Sequence, residues 1–252
     1  MHVVQGIDEL RPHVGPVFVV VGVFDGMHLG HAYLLEHLVA ESRARDAQPT
    51  VITFDHHPDE VLMGTAPPLL LDAAERLERL AAAGVAVTVV QHFDQALRET
   101  PFDVFVERIR ARVQLTGFLM TPDAAFGFER RGTPASVAEL GARDGFEVVV
   151  VPPFMLDGQD VRSSAIRAAI VAGDLTGAAR LLGRPVTVSG SAGGFVGGRS
   201  RLDFELPVAL PPDGDYPAEI EGAPCTLQIV GGGAYVMREL SNRRVTVELA
   251  GG

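Results

Sequence analysis

The stretch Val17-Phe18-Val19-Val20-Val21-Gly22-Val23-Phe24-Asp25-Gly26-Met27-His28-Leu29-Gly30-His31 constrains the fold of this chain more than any other. Five of its first seven residues are valine, and none of the seven has a polar side chain. Such a run predicts a strand buried on both faces, as in a parallel sheet. Gly22, Asp25 and Gly26 then supply turn residues. After His31, the residues Tyr33, Leu34, Leu35, Leu38 and Val39 recur at helical spacing, which places His31 in or near the first turn of a helix. A strand that enters a helix through a tight turn presents free backbone N–H groups and the positive end of a helix dipole to one point, and this favours an anion. Two imidazoles flanking Gly30 add donors suited to phosphate oxygens. The stretch therefore reads as the nucleotide-phosphate site of an α/β enzyme.

The same alternation continues along the chain. Strands are expected at Thr50–Phe54, Val85–Val90, Thr116–Met120 and Glu147–Val151. Helices are expected at about Ala73–Ala83, after Pro101, and at Ser136–Asp144. Residues 1–16 read as an edge strand and a short helix. Strands alternating with helices argue for a parallel sheet with right-handed crossovers, whose ligands bind beyond the carboxyl ends of the strands. Two further helices are expected at Ser163–Ala172 and Leu175–Leu182, split by Gly173-Asp174. From Pro185 the pattern changes to short alternating runs between Gly and Pro, at Arg201–Leu206, Cys225–Val230, Ala234–Arg238 and Arg244–Leu249. These predict a small β domain built of hairpins. The expected division is 1–184 and 185–252.

Charge narrows the partners. The chain carries 32 acidic against 21 basic residues, for a net charge of −11, whereas nucleic acid or an anionic membrane requires a basic face. The apolar run at Val17–Phe24 falls well short of the ~20 residues of a membrane helix. Cys225 is the one cysteine, so no intrachain disulfide is possible, and the N-terminus has no signal-peptide pattern. A cytoplasmic protein is expected.

Three stretches can carry chemistry. His28 and His31 are placed to bind nucleotide phosphates and to stabilise the charge that grows there during transfer, with Gly30 allowing close backbone approach. The competing reading is one histidine capping the helix and the other packed in a polar core. Ser163 and Ser164, at a helix start, with Arg167 one turn on, form a second phosphate cradle, against which stands an ordinary serine cap with a solvated arginine. Asp55-His56-His57-Pro58 and Asp123–Gly127 both follow strands and line the same expected crevice, although Asp123 after Pro122 also suits a plain turn. His28, His31, His56 and His57 offer imidazoles to a metal. The glycine between the first two, and the absence of an assisting cysteine or Glu-x-x-His pattern, count against that, and no metal-ligating residue is expected. His13, His37 and His92 read as surface or structural.

Gly22–His31, Thr53-Phe54-Asp55-His56-His57-Pro58 and Arg162-Ser163-Ser164-Ala165-Ile166-Arg167 resemble the bacterial FAD synthetases, the FMN adenylyltransferase module of bifunctional riboflavin kinase/FAD synthetases. Ala172-Gly173-Asp174 to Leu181-Leu182-Gly183-Arg184-Pro185 is similar to the segment that joins that module to the kinase. The resemblance implies a Rossmann-like nucleotidyltransferase sheet followed by a small barrel-like β domain. It also implies the reaction of ATP with FMN to give FAD and pyrophosphate, with Mg2+. By residue-wise correspondence His28, His31 and Arg167 become catalytic. Gly22, Phe24, Asp25, Gly30, Ser163 and Ser164 become nucleotide-binding, and Phe54, His57, Asp123 and Phe126 flavin-binding. Two departures stand out: His56 replaces the family's proline, and Ala124 replaces an aromatic residue. Arg199–Pro207 stands where the kinase carries its Mg-ATP motif, without the motif's threonine and asparagine. A reduced kinase-like domain without riboflavin kinase activity is therefore expected. Transfer to another phosphorylated acceptor, and a non-catalytic flavin or nucleotide binding role, are the alternatives.

Overall fold

The computed structural model describes residues 1–240 and 243–250, so positions 241, 242, 251 and 252 of the expected second domain lie outside the described residues. Contacts divide the chain into two compact units. The first comprises Met1–Phe24, Gly30–Pro67 and Leu77–Phe154, and the second Asp25–Leu29, Pro68–Arg76 and Met155–Gly252. Neither unit is one continuous segment.

In chain order the first elements are β1 (His2–Gln5), β2 (Val17–Val21), α1 (Leu29–Ala44), β3 (Gln48–Phe54), α2 (Pro58–Met63) and α3 (Ala73–Ala82). Then come β4 (Val87–Gln91), α4 (Gln95–Arg98), α5 (Phe102–Arg110), β5 (Leu115–Met120), α6 (Pro134–Asp144) and β6 (Glu147–Val150). The six strands form one parallel sheet in the order β1-β4-β3-β2-β5-β6. From β2 the chain winds through β3 to β4 on one side, then crosses back to β5 and β6 on the other. The switch point lies between β2 and β5, and there the carboxyl ends of an open sheet leave a crevice.

Burial explains the composition of the central strands. Val17, Phe18, Val19 and Val20 of β2 are buried, as are Val51, Ile52 and Phe54 of β3. β-branched side chains fit such a two-sided position. Gly117 in β5 has a packing reason: a Cβ there would come 2.5 Å from the Glu147 carbonyl oxygen and 2.6 Å from the Phe18 ring. Local signals set the helix ends. Thr133 caps α6 by accepting from the Ser136 amide at 3.3 Å, Pro134 opens the helix, and Gly145 closes it in the left-handed region.

The second unit adds the hairpin β7 (Met155–Leu156) and β8 (Gln159–Asp160), the helices α7 (Ser163–Val171) and α8 (Leu175–Leu182), and six strands. These are β9 (Thr187–Val196), β10 (Arg199–Asp203), β11 (Gly214–Ile220), β12 (Ala223–Val230), β13 (Gly233–Val236) and β14 (Arg244–Leu249). They close into an antiparallel barrel in the order β10-β13-β12-β11-β14-β9, with β9 returning to pair with β10. Gly197-Gly198, Glu221-Gly222 and Gly231-Gly232 each make a two-residue hairpin with positive φ at both positions. That is the mirror-image turn that matches strand twist. Val188, Leu202, Leu227, Ile229, Val236, Val245 and Val247 are buried in this unit. Glu75, also buried, accepts from Thr187 Oγ1 at 2.9 Å and from Ser189 Oγ at 2.6 Å. The Arg244 guanidinium meets the Asp72 carboxylate through Nε at 2.9 Å and Nη2 at 2.8 Å.

Candidate functional site

The first unit contains a cavity of about 600 Å³ at the switch point. Its floor comes from the ends of β2 and β5, with Val20–Val23 on one side and Phe118–Thr121 on the other. Phe54, His57, Asp123 and Phe126, the residues expected to meet a flavin, all line it, and so does Gly22. Two aromatic groups line it. Phe54 and Phe93 meet edge to face with centroids 5.2 Å apart, and Phe126 packs on Phe105 at 5.4 Å and on Phe118 at 5.6 Å. An apolar cavity of this volume with a few polar groups suits a flat, drug-sized ligand.

The polar groups are held by local structure. His57 Nδ1 accepts from the Asp59 amide at 3.2 Å and so caps α2. That bond leaves the ring proton of neutral His57 on Nε2. Thr121 Oγ1 donates to Asp123 Oδ1 at 2.8 Å, and Arg130 Nη2 donates to the Asp123 carbonyl at 3.1 Å. Gly127 turns the chain at φ +74°, where a Cβ would lie 2.6 Å from the backbone nitrogen and Cα of Phe102. Glu129 and Arg130 follow, both with positive φ and both lining the cavity, as does Arg98 of α4. Sequence reasoning does not single out these three charged residues, because nothing in their spacing marks them. Ala124, where the resemblance expects an aromatic side chain, also faces the cavity.

His31, Phe24, Gly22 and Gly30 belong to the first unit as well. Gly30 and His31 lie in the first turn of α1, as expected. Phe24 is buried, adopts φ +54°, and sets its ring 5.0 Å from the His31 imidazole. Gly22 makes room for it: a Cβ there would be 3.1 Å from the Phe24 ring.

The second unit gathers the other phosphate candidates around Asp25–Leu29. Asp25 is 3% exposed, and its Oδ1 accepts from the Leu70 and Leu71 amides at 2.8 and 3.2 Å. Arg167 Nη2 meets Asp25 Oδ2 at 3.1 Å, while Arg167 Nε is shut off from solvent with no hydrogen-bond partner. Ser163 Oγ donates to the Asp25 carbonyl at 2.8 Å, and Arg184 Nη2 donates to the Gly26 carbonyl at 2.7 Å. Ser163 is therefore not a helix cap: Arg162 occupies that position and makes no capping bond. Ser164 is exposed in the first turn of α7. Gly26 sits at φ +87°, where a Cβ would come 2.7 Å from Leu70 Cδ1.

His28 is 4% exposed, and burial pushes its pKa down to about 4. Asp160 pulls the value up and Arg184 pushes it further down. At neutral pH the imidazole is uncharged and offers one N–H donor. Arg167 and Arg184 both reach this loop, bonded to the Asp25 carboxylate and the Gly26 carbonyl. Two arginines, a helix N-terminus and a neutral imidazole donor together suit a polyanion.

Among solved structures, a macrolide-efflux protein from Streptococcus pneumoniae superimposes with a TM-score of 0.78, at 21% identity, over 98% of this chain and 88% of that one. That likeness shows the fold. A bifunctional riboflavin kinase/FMN adenylyltransferase of Haemophilus influenzae is 33% identical over 192 residues, 75% of this chain and 62% of that protein. Its counterpart in Pseudomonas fluorescens is 30% identical over 191 residues, 75% of this chain and 61% of that protein. The counterpart in Escherichia coli is 32% identical over 198 residues, with 75% and 62% coverage. The chain thus spans about three fifths of the length of the curated relatives it matches. The profile of the family described as FAD synthetase matches residues 11–165, more than half of the sequence, and by that match this protein belongs to the FAD synthetase family.

Proposed function

We propose that this protein is an FMN adenylyltransferase, joining ATP and FMN into FAD with release of pyrophosphate. The cavity carries the reading: the four residues carried over as flavin contacts, Phe54, His57, Asp123 and Phe126, line one aromatic-walled space of about 600 Å³. The phenylalanines are assigned to the ring system, and the His57 Nε2–H and the Arg98 and Arg130 side chains to its phosphate as donors. The nucleotide phosphates are assigned to the Asp25–Leu29 loop and the start of α7, with Ser164, Arg167 and Arg184 as donors, while Gly22, Phe24, Gly30 and His31 keep, within the first unit, the nucleotide-binding roles that the resemblance implies. Asp25 and Ser163 position that loop and Arg167, rather than meeting the triphosphate themselves.

In this reaction an FMN phosphate oxygen attacks the α-phosphorus of ATP, forming one P–O bond while the bond to pyrophosphate breaks. No protein nucleophile is required. The residues place two phosphates in line and stabilise charge on the transferring group, which is where such sites gain most. His28 and His31 are the residues that the resemblance assigns to charge stabilisation of the transferring group. A neutral His28 becomes easier to protonate once a polyanion arrives, so its charge is drawn toward the transition state. Mg2+ favours oxygen ligands and few protein groups beside substrate phosphates. The hydroxyl of Thr121 and the carboxylate of Asp123, joined at 2.8 Å, are such a donor set. A bound ion would supply charge neutralisation of the substrate phosphates.

The 1–184 segment is assigned to the transferase and 185–252 to a barrel without riboflavin kinase activity. A cytoplasmic setting with ATP and FMN as small-molecule partners, and neither nucleic acid nor membrane, completes the reading. Among the described residues no helix is long and apolar enough to cross a membrane. One observation favours a second acceptor. Ala124 leaves the cavity wall smaller than the family's aromatic residue does, so a bulkier or differently shaped phosphorylated substrate has room. Pyrophosphate release measured with ATP, Mg2+ and a panel of phosphorylated acceptors tests both. FMN giving the highest kcat/KM supports the flavin reading, and a non-flavin acceptor giving a higher value overturns it.

A further inference from the structure

Strands β3 and β4 are parallel neighbours whose last paired residues are Phe54 and Gln91. The next residue of each strand is polar, Asp55 on one and His92 on the other, and the Asp55 amide still donates to the Gln91 carbonyl at 3.2 Å. Register therefore brings Asp55 and His92 side by side, and His56 follows directly. His92 Nδ1 is 2.6 Å from Asp55 Oδ2. Asp55 Oδ1 is fixed by the His56 amide at 2.7 Å and the Phe93 amide at 3.2 Å. His56 Nδ1 lies 3.3 Å from the same oxygen, out of solvent and without the alignment of a hydrogen bond. The two imidazole rings stand nearly perpendicular with centroids 6.0 Å apart. One ligand atom from each of the three residues falls within 4.8 Å of the others.

We propose that Asp55, His56 and His92 form a binding site for a divalent transition-metal ion of the zinc class at the ends of β3 and β4. Two imidazoles and one carboxylate are a donor set that zinc accepts, and it leaves further positions for water. A tetrahedral ion with bonds near 2.1 Å holds its ligand atoms roughly 3.4 Å apart, so the widest pair has to close by up to about 1.4 Å while His92 Nδ1 and Asp55 Oδ2, now at 2.6 Å, move apart by about 0.8 Å. His92 and His56 have the freedom to do so, at 63% and 42% side-chain exposure. Binding displaces the proton shared between His92 and Asp55. A magnesium ion does not suit this site, because it prefers an all-oxygen shell. The bound ion cross-links two strand ends. It also fixes Phe54 and Phe93, each one residue from a ligand and both on the cavity wall. This site is separate from the flavin assignment, and its test requires neither flavin nor nucleotide.

The full chain, freed of metal by chelator dialysis, is titrated with Zn2+ by calorimetry and with Co2+ by visible absorption. One equivalent of each ion is expected to bind, with a cobalt d–d band and a raised thermal midpoint, while Mg2+ gives none of these signals. His56→Ala and His92→Ala, checked for native circular dichroism, are each expected to lower Zn2+ affinity by at least about tenfold, the scale on which metal sites respond to lost partners. His13→Ala, which removes a histidine elsewhere in the same unit, is expected to leave it unchanged. Absence of stoichiometric binding by the folded wild-type chain would overturn the proposal, as would variants at positions 56 and 92 that bind like wild type.

Discussion

His28 shows how one residue's role depends on its surroundings. The sequence marks it as a phosphate ligand by its place beside Gly30, but does not show that burial lowers its pKa to about 4. Part of that environment, Asp160 and Arg184, lies more than a hundred positions away along the chain. The consequence for stability has a definite sign. Between the unfolded value near 6.5 and the folded value near 4, the unfolded chain binds a proton that the folded chain refuses, so stability falls as pH drops through that window. The expected loss from this group is about 2 kcal/mol between roughly pH 7 and pH 5. Denaturant unfolding at both pH values checks it. A His28→Gln variant should lose less stability than wild type over the same interval, and equal losses would contradict the assignment. At His31 the expectation is catalytic: His31→Ala should lower kcat by more than about 100-fold, the scale of one lost charge-stabilising donor, with little change in thermal midpoint. Arg167→Ala should act on the fold too. It leaves the buried Asp25 carboxylate without its guanidinium partner, at a cost of roughly 3 kcal/mol read by denaturant unfolding.

At the scale of elements, the parallel sheet was legible because its strands are continuous and β-branched and its helices have plain ends. The barrel was legible only in part. Cys225–Val230, Ala234–Arg238 and Arg244–Leu249 correspond to β12, β13 and β14, whereas no alternation sets β9 and β11 apart from the surrounding Gly and Pro. β9 carries glycine at positions 190, 193 and 194 and β11 carries Pro217, so hydrophobic alternation is weak in both. The β7–β8 hairpin had a readable signal, Asp157-Gly158, both residues at positive φ, but strands of two residues leave no pattern around it. The segment Phe126–Arg130 makes a sharper test of how an element shapes the cavity. Gly127→Ala places a methyl group 2.6 Å from the Phe102 backbone at φ +74°, and backbone cannot yield as a side-chain tip can. The expected result is about 2 kcal/mol of lost stability and a raised KM for FMN at unchanged KM for ATP. Steady-state kinetics with each substrate varied in turn decides it.

For the whole molecule, contiguity along the chain is a poor guide to compactness. The residues most important to the nucleotide reading fall in both units: Asp25–Leu29 groups with Ser163, Arg167 and Arg184, while Gly22, Phe24 and His31 group with the sheet. The barrel strands begin at Thr187, and the contacts divide the chain at Phe154 and Met155. No local pattern announces that division, because it depends on which distant segments pack together. The family, by contrast, was legible from short motifs whose residues the structure gathers by unit, with the flavin candidates around one cavity and Asp25, Ser163 and Arg167 in one bonded cluster. The most direct test of the account is the formation of FAD by the purified chain from FMN, ATP and Mg2+, followed by chromatography, with riboflavin in place of FMN as the parallel arm. FAD in step with pyrophosphate is expected from FMN, and neither FMN nor FAD from riboflavin. A folded chain that binds both substrates and makes no FAD would contradict it.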